Sequence, residues 1–514
     1  MSGGLIVAGT QSDAGKSLVT AGICRWLRRR GVRAAPFKAQ NMALNSVVTP
    51  GGAEIGRAQG LQAAAAGVAA EAAMNPVLIK PAGEGHSQVI VMGRPYADAD
   101  ARSYQQMKRG LREPVLAAFA DLRSRFDVVV CEGAGSPAEI NLRAGDLANM
   151  GLARATALPV VVVGDIDRGG VFASLFGTVA LLERADQELV AGFLINKFRG
   201  DPEILAPGLE QIRALTGRAV LGVLPYRDGL WLDAEDSLAL EAPRPEPVAA
   251  VGGGETLEVA VLRPRWISNF TDVDALVAEP GVTVRFTRSV IDVERADLVL
   301  VPGTKATVED LDRLRACPLA AALHRRAAQG DPILGVCGGY QMLGTAIDDD
   351  VESGRGCVEG LGLLPVRTAF ARDKLVRRVT ATFIGPAATS ALPASGYEIR
   401  HGRPVRDGGA ALLADGSAAG EGCVSGAVLG TSWHGLLEGD AVRRDLLGWV
   451  AQRRGRSWKP GCEPFAAVRE RHLDRLGDLI EENADTDALL RLIERGAPPD
   501  LPALAPGGAL CSSS

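Results

Sequence analysis

Two short stretches of this chain carry side chains whose types and spacing can do chemistry. The first is GTQSDAGKS, Gly9 to Ser17, which follows the apolar residues Leu5, Ile6 and Val7. A glycine-rich turn between a strand and a helix aims several backbone N–H groups at one point, where the helix dipole adds positive charge. Lys16 is placed to reach the outer phosphates of a nucleotide, and the Ser17 hydroxyl to ligate Mg2+. The usual spacing puts the first glycine at position 10. Here that residue is Thr10, the glycine is Gly9, and Gly15 closes the turn. A second acid fits the same site, because VVVCEGAGS ends an apolar run at Glu132, where a carboxylate holds Mg2+ directly or through water.

The second stretch is GVCGGYQML. Gly335 and Gly339 bracket Cys337 at minus two and plus two, the pattern of a sharp strand-to-helix turn that leaves a nucleophile projecting. A helix N-terminus favours the thiolate. A thiolate nucleophile needs a base, and His434 in GTSWHGLLEGD is the best placed of the five histidines, with His401 in GYEIRHGR as its competitor. His86, His324 and His472 lie in polar or basic surroundings and read as surface residues. LVPGT ends a strand at Gly303, whose N–H pairs with that of Gly338 as a candidate oxyanion hole.

These side chains need elements to position them. GLIVAG, FDVVVCEGAG, LPVVVVGDID and LVAGFLINKF read as buried parallel strands, since they are Val- and Ile-rich without polar alternation. SLVTAGICRWLRRRG and GRAQGLQAAAAGVAAEAAM between them have helix-forming composition, so residues 1–240 read as a doubly wound α/β domain of the phosphate-loop NTPase type. Residues 241–256 are rich in Pro, Gly and Ala and read as a linker. A second doubly wound parallel-sheet domain follows over 257–450, with LEVAVLRP, VTVRFTRS, ADLVLVPGT and PILGV as strands. Residues 451–514 read as a helical extension, with DTDALLRLIERG its best helix, and a frayed tail.

Bulk composition is compatible with this division. The chain of 514 residues is too long for one core, and its 47% hydrophobic and 23% charged content is ordinary for a globular protein. A net charge of −5 supplies no basic field for nucleic acid, so an anionic substrate needs local Arg, Lys or helix N-termini. No apolar run approaches the length of a membrane span, and the eight cysteines lack metal spacing, so a reduced, cytoplasmic setting is expected.

The GT-x-S-x-x-GKS form of the first loop resembles that of dethiobiotin synthetase and its relatives, which phosphorylate a carboxylate. Gln11 stands where chromosome-partitioning switch ATPases carry a lysine, which counts against a dimerising switch. In INKFRGD, the same resemblance implies that Asn196 reads the adenine edge of ATP. GVCGGYQMLG and the later WHG are similar to class I glutamine amidotransferase domains. That implies a glutamine co-substrate whose side-chain amide Cys337 attacks while His434 shuttles the proton. Formation of the thioester releases ammonia, and the thioester is then hydrolysed to glutamate. Such domains carry Glu two places after the histidine, whereas this chain has Leu436. Either a dyad suffices or another carboxylate orients the imidazole, Glu438 being nearby.

Other stretches, among them FKAQNMALNS, EIGRAQGLQA, MNPVLIKP, EGAGSPAEINLR, DIDRGGVFASL and ISNFTDVDAL, resemble the cobyric acid synthase family of the cobalamin pathway over about residues 4–450. The resemblance implies ATP- and glutamine-dependent amidation of the b, d, e and g carboxylates of adenosylcobyrinic acid a,c-diamide, a corrinoid. Lys38 and Lys80 then become candidates to hold the substrate carboxylate or the γ-phosphate. Asp146, Asp165 and Asp167 become acids that orient substrate or metal, and Arg168 a clamp on a corrinoid carboxylate. Two alternatives stand beside this reading: the sister a,c-diamide synthase, and a non-catalytic nucleotide-binding regulator with a degenerate amidase domain.

Overall fold

The first strand, Gly3–Gly9, reads GGLIVAG and sets the pattern of the N-terminal half: a run without polar alternation must be covered on both faces. The computed structural model describes residues 2–230, 233, 248–386 and 391–505. Residues 241–247 of the expected linker and 506–514 of the tail lie outside the described residues.

Six parallel strands form the N-terminal sheet, in the order Ala219–Pro225, Val190–Phe198, Val160–Asp165, Gly3–Gly9, Val128–Glu132 and Ala34–Phe37. The order reverses around Gly3–Gly9, and ligands of open α/β sheets bind at the strand C-termini beside such a reversal. The phosphate loop and Glu132 end neighbouring strands there, with Val7 opposite Glu132 in register. Alternate residues of the first strand serve two cores. Ile6 and Ala8 pack with Phe37, Leu122 and Phe193, whereas Leu5 and Val7 pack with Ile23 and Trp26.

The second core is closed by the end of the chain. Leu473, Leu476, Ile480, Leu489 and Ile493, on the helices Phe465–Asn483 and Thr486–Arg495, pack against Leu5, Val7 and Trp26. The extension therefore belongs structurally to the N-terminal half. The helix expected across GRAQGLQAAAAGVAAEAAM spans only Arg57–Ala66, because Gly67 adopts the left-handed conformation that caps it.

The C-terminal half is built on a second sheet, in the order Val282–Thr287, Leu257–Leu262, Leu298–Val301, Ile333–Val336, Val428–Thr431 and Cys423–Ser425. All neighbours are parallel except the last pair. Besides a two-stranded ribbon of Ser46–Val48 and Glu54–Gly56, two mixed, largely antiparallel sheets lie outside the doubly wound pattern. One joins Gln40–Met42, Val77–Pro81, Ser87–Val91 and Arg94–Ala99, and the other is dominated by the long pair Val366–Phe383 and Leu392–Arg406. No helix among the described residues is long and apolar enough to cross a membrane.

Candidate active site

At the phosphate loop, Gly15 has φ 93°, and a Cβ there would lie 2.1 Å from Asn196 Nδ2. Only glycine fits. The helix Lys16–Arg29 begins immediately after, so its first N–H groups face the loop. Ser17 Oγ donates to Glu132 Oε1 at 2.8 Å, Lys38 Nζ to the same oxygen at 2.9 Å, and Gln62 Nε2 to Oε2 at 2.5 Å. Glu132 is 1% exposed. Burial raises its pKa, but the Lys38 charge and these hydrogen bonds hold it below the ordinary carboxylate value. Lys16 Nζ arches over the loop to Gln11 O and Gly135 O, at 2.9 and 3.0 Å. A hydroxyl beside one carboxylate fits Mg2+, which takes one or two carboxylates, phosphate oxygens and waters.

Asn196 is buried beneath the loop, with Nδ2 donating to Ala14 O at 3.0 Å, so it supports the loop. Arg168 is exposed and pairs with Asp13 in the loop at 2.9 Å. Asp165 accepts from Lys197 at 2.9 Å and Asp167 from Arg199 at 3.1 Å. Asp146 accepts from the N–H groups of Ala148, Asn149 and Gly151, each at 2.9 Å, which makes it an anchor of its own loop.

At the thiol, Cys337 sits between the strand Ile333–Val336 and the helix Gly338–Leu343 with φ 51°, ψ −111°. A non-glycine residue at positive φ is strained, and a nucleophile at such a turn is held by its surroundings. Gly339 permits the turn, since a Cβ there would come 1.9 Å from Val301 O. The segments 303–304 and 337–338 meet at the thiol: a Cβ on Gly303 would lie 2.9 Å from His434 Cε1, and one on Gly338 3.0 Å from Thr304 N. Gly338 opens its helix, so its N–H lacks an intrahelical acceptor.

His434 is buried, and both Asp272 and Cys337 hydrogen-bond it. Its Nδ1 lies 2.7 Å from Asp272 Oδ2, while Asp272 Oδ1 accepts from Gly435 N at 2.8 Å. Burial lowers the imidazole pKa, but the charges of Asp272 and Cys337 outweigh it and push it up to about 10. Asp272 thus stands in the place of the missing glutamate. It comes from the turn Phe270–Val273, far upstream, and no local spacing around the histidine reveals it. Glu438 faces elsewhere, pairing with Arg57 of the N-terminal half at 2.7 Å.

His401 lines the same cavity as Cys337, but its ring nitrogens face Gln88 at 3.3 Å and Ala371 O at 3.0 Å, and burial lowers its pKa. His472 is not on the surface: it lies on the buried face of the helix Phe465–Asn483, and burial pushes its pKa down to about 4. His86 and His324 are exposed.

Lys80 is not at the phosphate site. Its Nζ donates to Ser46 Oγ and Glu54 Oε1, each at 2.8 Å, and it lines the cavity beside Cys337. Lys374 of the C-terminal half reaches the other oxygen of Glu54 at 2.6 Å and Gln88 at 2.7 Å. Burial raises the Glu54 pKa, yet the two lysines hold it well below the carboxylate range; burial lowers that of Lys374 to about 8. The structure therefore separates Lys38 and Lys80, one at each centre.

Comparison with known proteins gives two domain-family matches. Residues 5–239 match the CobQ/CobB/MinD/ParA nucleotide binding domain, and residues 258–442 the CobB/CobQ-like glutamine amidotransferase domain. A cobyric acid synthase from Frankia casuarinae is 58% identical over 99% of this chain and 100% of its own length. One from Streptomyces avermitilis is 57% identical over 99% of both chains, and one from Rhodococcus jostii is 55% identical over 98% of both.

Proposed function

This chain belongs to the cobyric acid synthase family, a family of glutamine-dependent ligases, and from that membership we propose that it amidates the b, d, e and g carboxylates of adenosylcobyrinic acid a,c-diamide. Phosphoryl transfer from ATP converts a corrinoid carboxylate to an acyl phosphate and leaves ADP. The backbone of the phosphate loop and Lys16 cradle the phosphates. Ser17 and Glu132 would hold Mg2+, which would neutralise charge on the transferring group. Lys38, fixed against Glu132, keeps a positive charge beside that centre.

In the other half, the Cys337 sulfur adds to the glutamine side-chain carbonyl, with the N–H groups of Gly303 and Gly338 receiving the oxyanion. His434 gives its proton to the leaving nitrogen and ammonia departs. It then takes a proton from the water that hydrolyses the thioester to glutamate. Asp272 holds the ring in the required tautomer. Ammonia attacks the acyl phosphate, forming the C–N bond and releasing phosphate.

The observation that carries this reading is the buried set Cys337, His434 and Asp272 in one chain with a phosphate loop. Its test is mass spectrometry of the corrinoid after incubation with ATP, Mg2+ and glutamine. Each amidation replaces OH by NH2, so the product is expected to carry amides at all four positions. C337S is expected to abolish this with glutamine and retain it with ammonium. Product from C337S with glutamine alone, or a mass change confined to the a and c positions of the unamidated acid, overturns it.

A further inference from the structure

A cavity of about 70 Å³ opens beside the phosphate site, and Lys108 lines it. Its wall is shared with that site. Ala134 and Ser136 face the cavity, while Gly135 between them accepts from Lys16 Nζ at 3.0 Å. Gln40, another wall residue, lies two positions beyond Lys38.

Lys108 stands on the helix Ala101–Arg125 and is only 7% exposed. Among the described residues its ammonium makes no ion pair and no hydrogen bond; its contact is the Tyr104 ring, 5.5 Å away. The polar neighbours are committed. Tyr104 OH donates to Gln40 Oε1 at 2.7 Å, and Asp146 is held by three backbone N–H groups. Glu139 Oε1 accepts from Ser136 N at 3.1 Å, and Arg143, the other cation of the wall, forks onto Asp186 at 2.6 and 2.8 Å. The Lys108 ammonium opens onto the cavity, where the charges of Asp146 and Glu139 act on it from beyond pairing distance and burial lowers its pKa. Lys108 is therefore the cation of this wall that makes no direct contact with an anion among the described residues.

We propose that Lys108 is a substrate-positioning residue that binds a peripheral carboxylate of the corrinoid and presents that edge of the ring to the phosphate site. The proposal rests on the corrinoid reading above. The cavity admits one carboxylate-bearing arm and not a macrocycle, so the ring stays outside, against Leu142 at the rim and Ile140, which is 56% exposed on the same turn. A point charge on a flexible stem suits a site that must receive several different arms in succession.

The test compares, in the full-length chain, binding of the acid substrate with binding of its fully amidated product, read from corrinoid absorbance. Wild type is expected to favour the acid by about tenfold or more, the worth of a hydrogen bond between charged groups. K108M is expected to bring the ratio to about one and K108R to restore most of it. Corrinoid-independent glutamine hydrolysis and ATP binding stay unchanged in both variants. A K108M protein that keeps the wild-type ratio overturns the assignment. So does a ratio that falls only together with ATP binding, the mark of a lysine that merely supports the fold. If wild type binds neither corrinoid, the parent reading fails and this inference with it; if wild type discriminates and K108M does so equally, only the inference fails.

Discussion

Asp272 divides its carboxylate between the His434 ring and the Gly435 N–H, while Tyr397 stacks on the imidazole with centroids 5.5 Å apart. The ring is thereby fixed in plane and orientation before glutamine arrives. Its pKa of about 10 lies above the ordinary value of about 6.5, so the pairing stabilises the fold fully below pH ~6.5 and is lost as pH rises through about 10. D272N is expected to lower the unfolding free energy by about 3 kcal/mol at pH 6, with the deficit closing towards pH 10. Denaturant titrations at the two pH values check it. Glutamine hydrolysis by D272N is expected to fall by roughly 10²–10⁴-fold, while ammonium-dependent amidation remains near wild type. Cys337 and the phosphate loop were legible in the sequence because each is a local turn whose glycines and reactive residue are adjacent. Asp272 was not, since its bond to His434 spans 162 positions and only the tertiary fold creates it. Lys80 was misplaced for the converse reason: a lysine ending an apolar strand looks alike whichever centre that strand faces.

At the scale of elements, four strands of each main sheet were readable from their apolar runs, whereas Ala34–Phe37, Ala219–Pro225, Val428–Thr431 and Cys423–Ser425, short or rich in Ala, Gly and Pro, were not. The long antiparallel pair was not, because RTAFARDKLVRRVTAT is charged and half-exposed along most of its length. The terminal helices show the same limit, as their amphipathic pattern announces a buried face but not what covers it. That face meets the first strand, and Arg25 reinforces the contact by pairing with Glu470 and Asp474, each at 2.9 Å. L476A is expected to destabilise the N-terminal half by about 2–5 kcal/mol, the usual range for a fully buried leucine. Arg25→Ala, whose carboxylate partners are about half exposed, should cost less. The discriminating measurement is ATP-dependent thermal stabilisation, which L476A should lose at a lower temperature than glutamine hydrolysis by the other half.

Across the whole molecule, one segment connects the two centres. Lys38 at its start touches Glu132 of the phosphate site; Asn45 Oδ1 accepts from Phe270 N at 3.3 Å, and Ser46 N donates to Asn269 Oδ1 at 2.8 Å, on the turn that carries Asp272. Glu54 at its far end lies between Lys80 and Lys374, the two lysines that line the thiol cavity. A shift of this segment therefore moves groups at both centres, which is the physical requirement for coupling between sites. Lys374 is the only member of this triad from the C-terminal half, and its pKa of about 8 lies below the ordinary lysine value of about 10.4. It loses its charge, and with it the ion pair across the halves, as pH rises through about 8. Glutamine hydrolysed per amide formed is expected to stay near one below that pH and to climb above it. K374M is expected to show the raised ratio at every pH, because its side chain cannot be charged, while K374R holds the ratio low to higher pH than wild type. Parallel assays of glutamate and corrinoid amide from pH 6.5 to 9.5 decide it: a K374M ratio equal to that of wild type below pH 7 would mean that the segment couples the two centres without this ion pair.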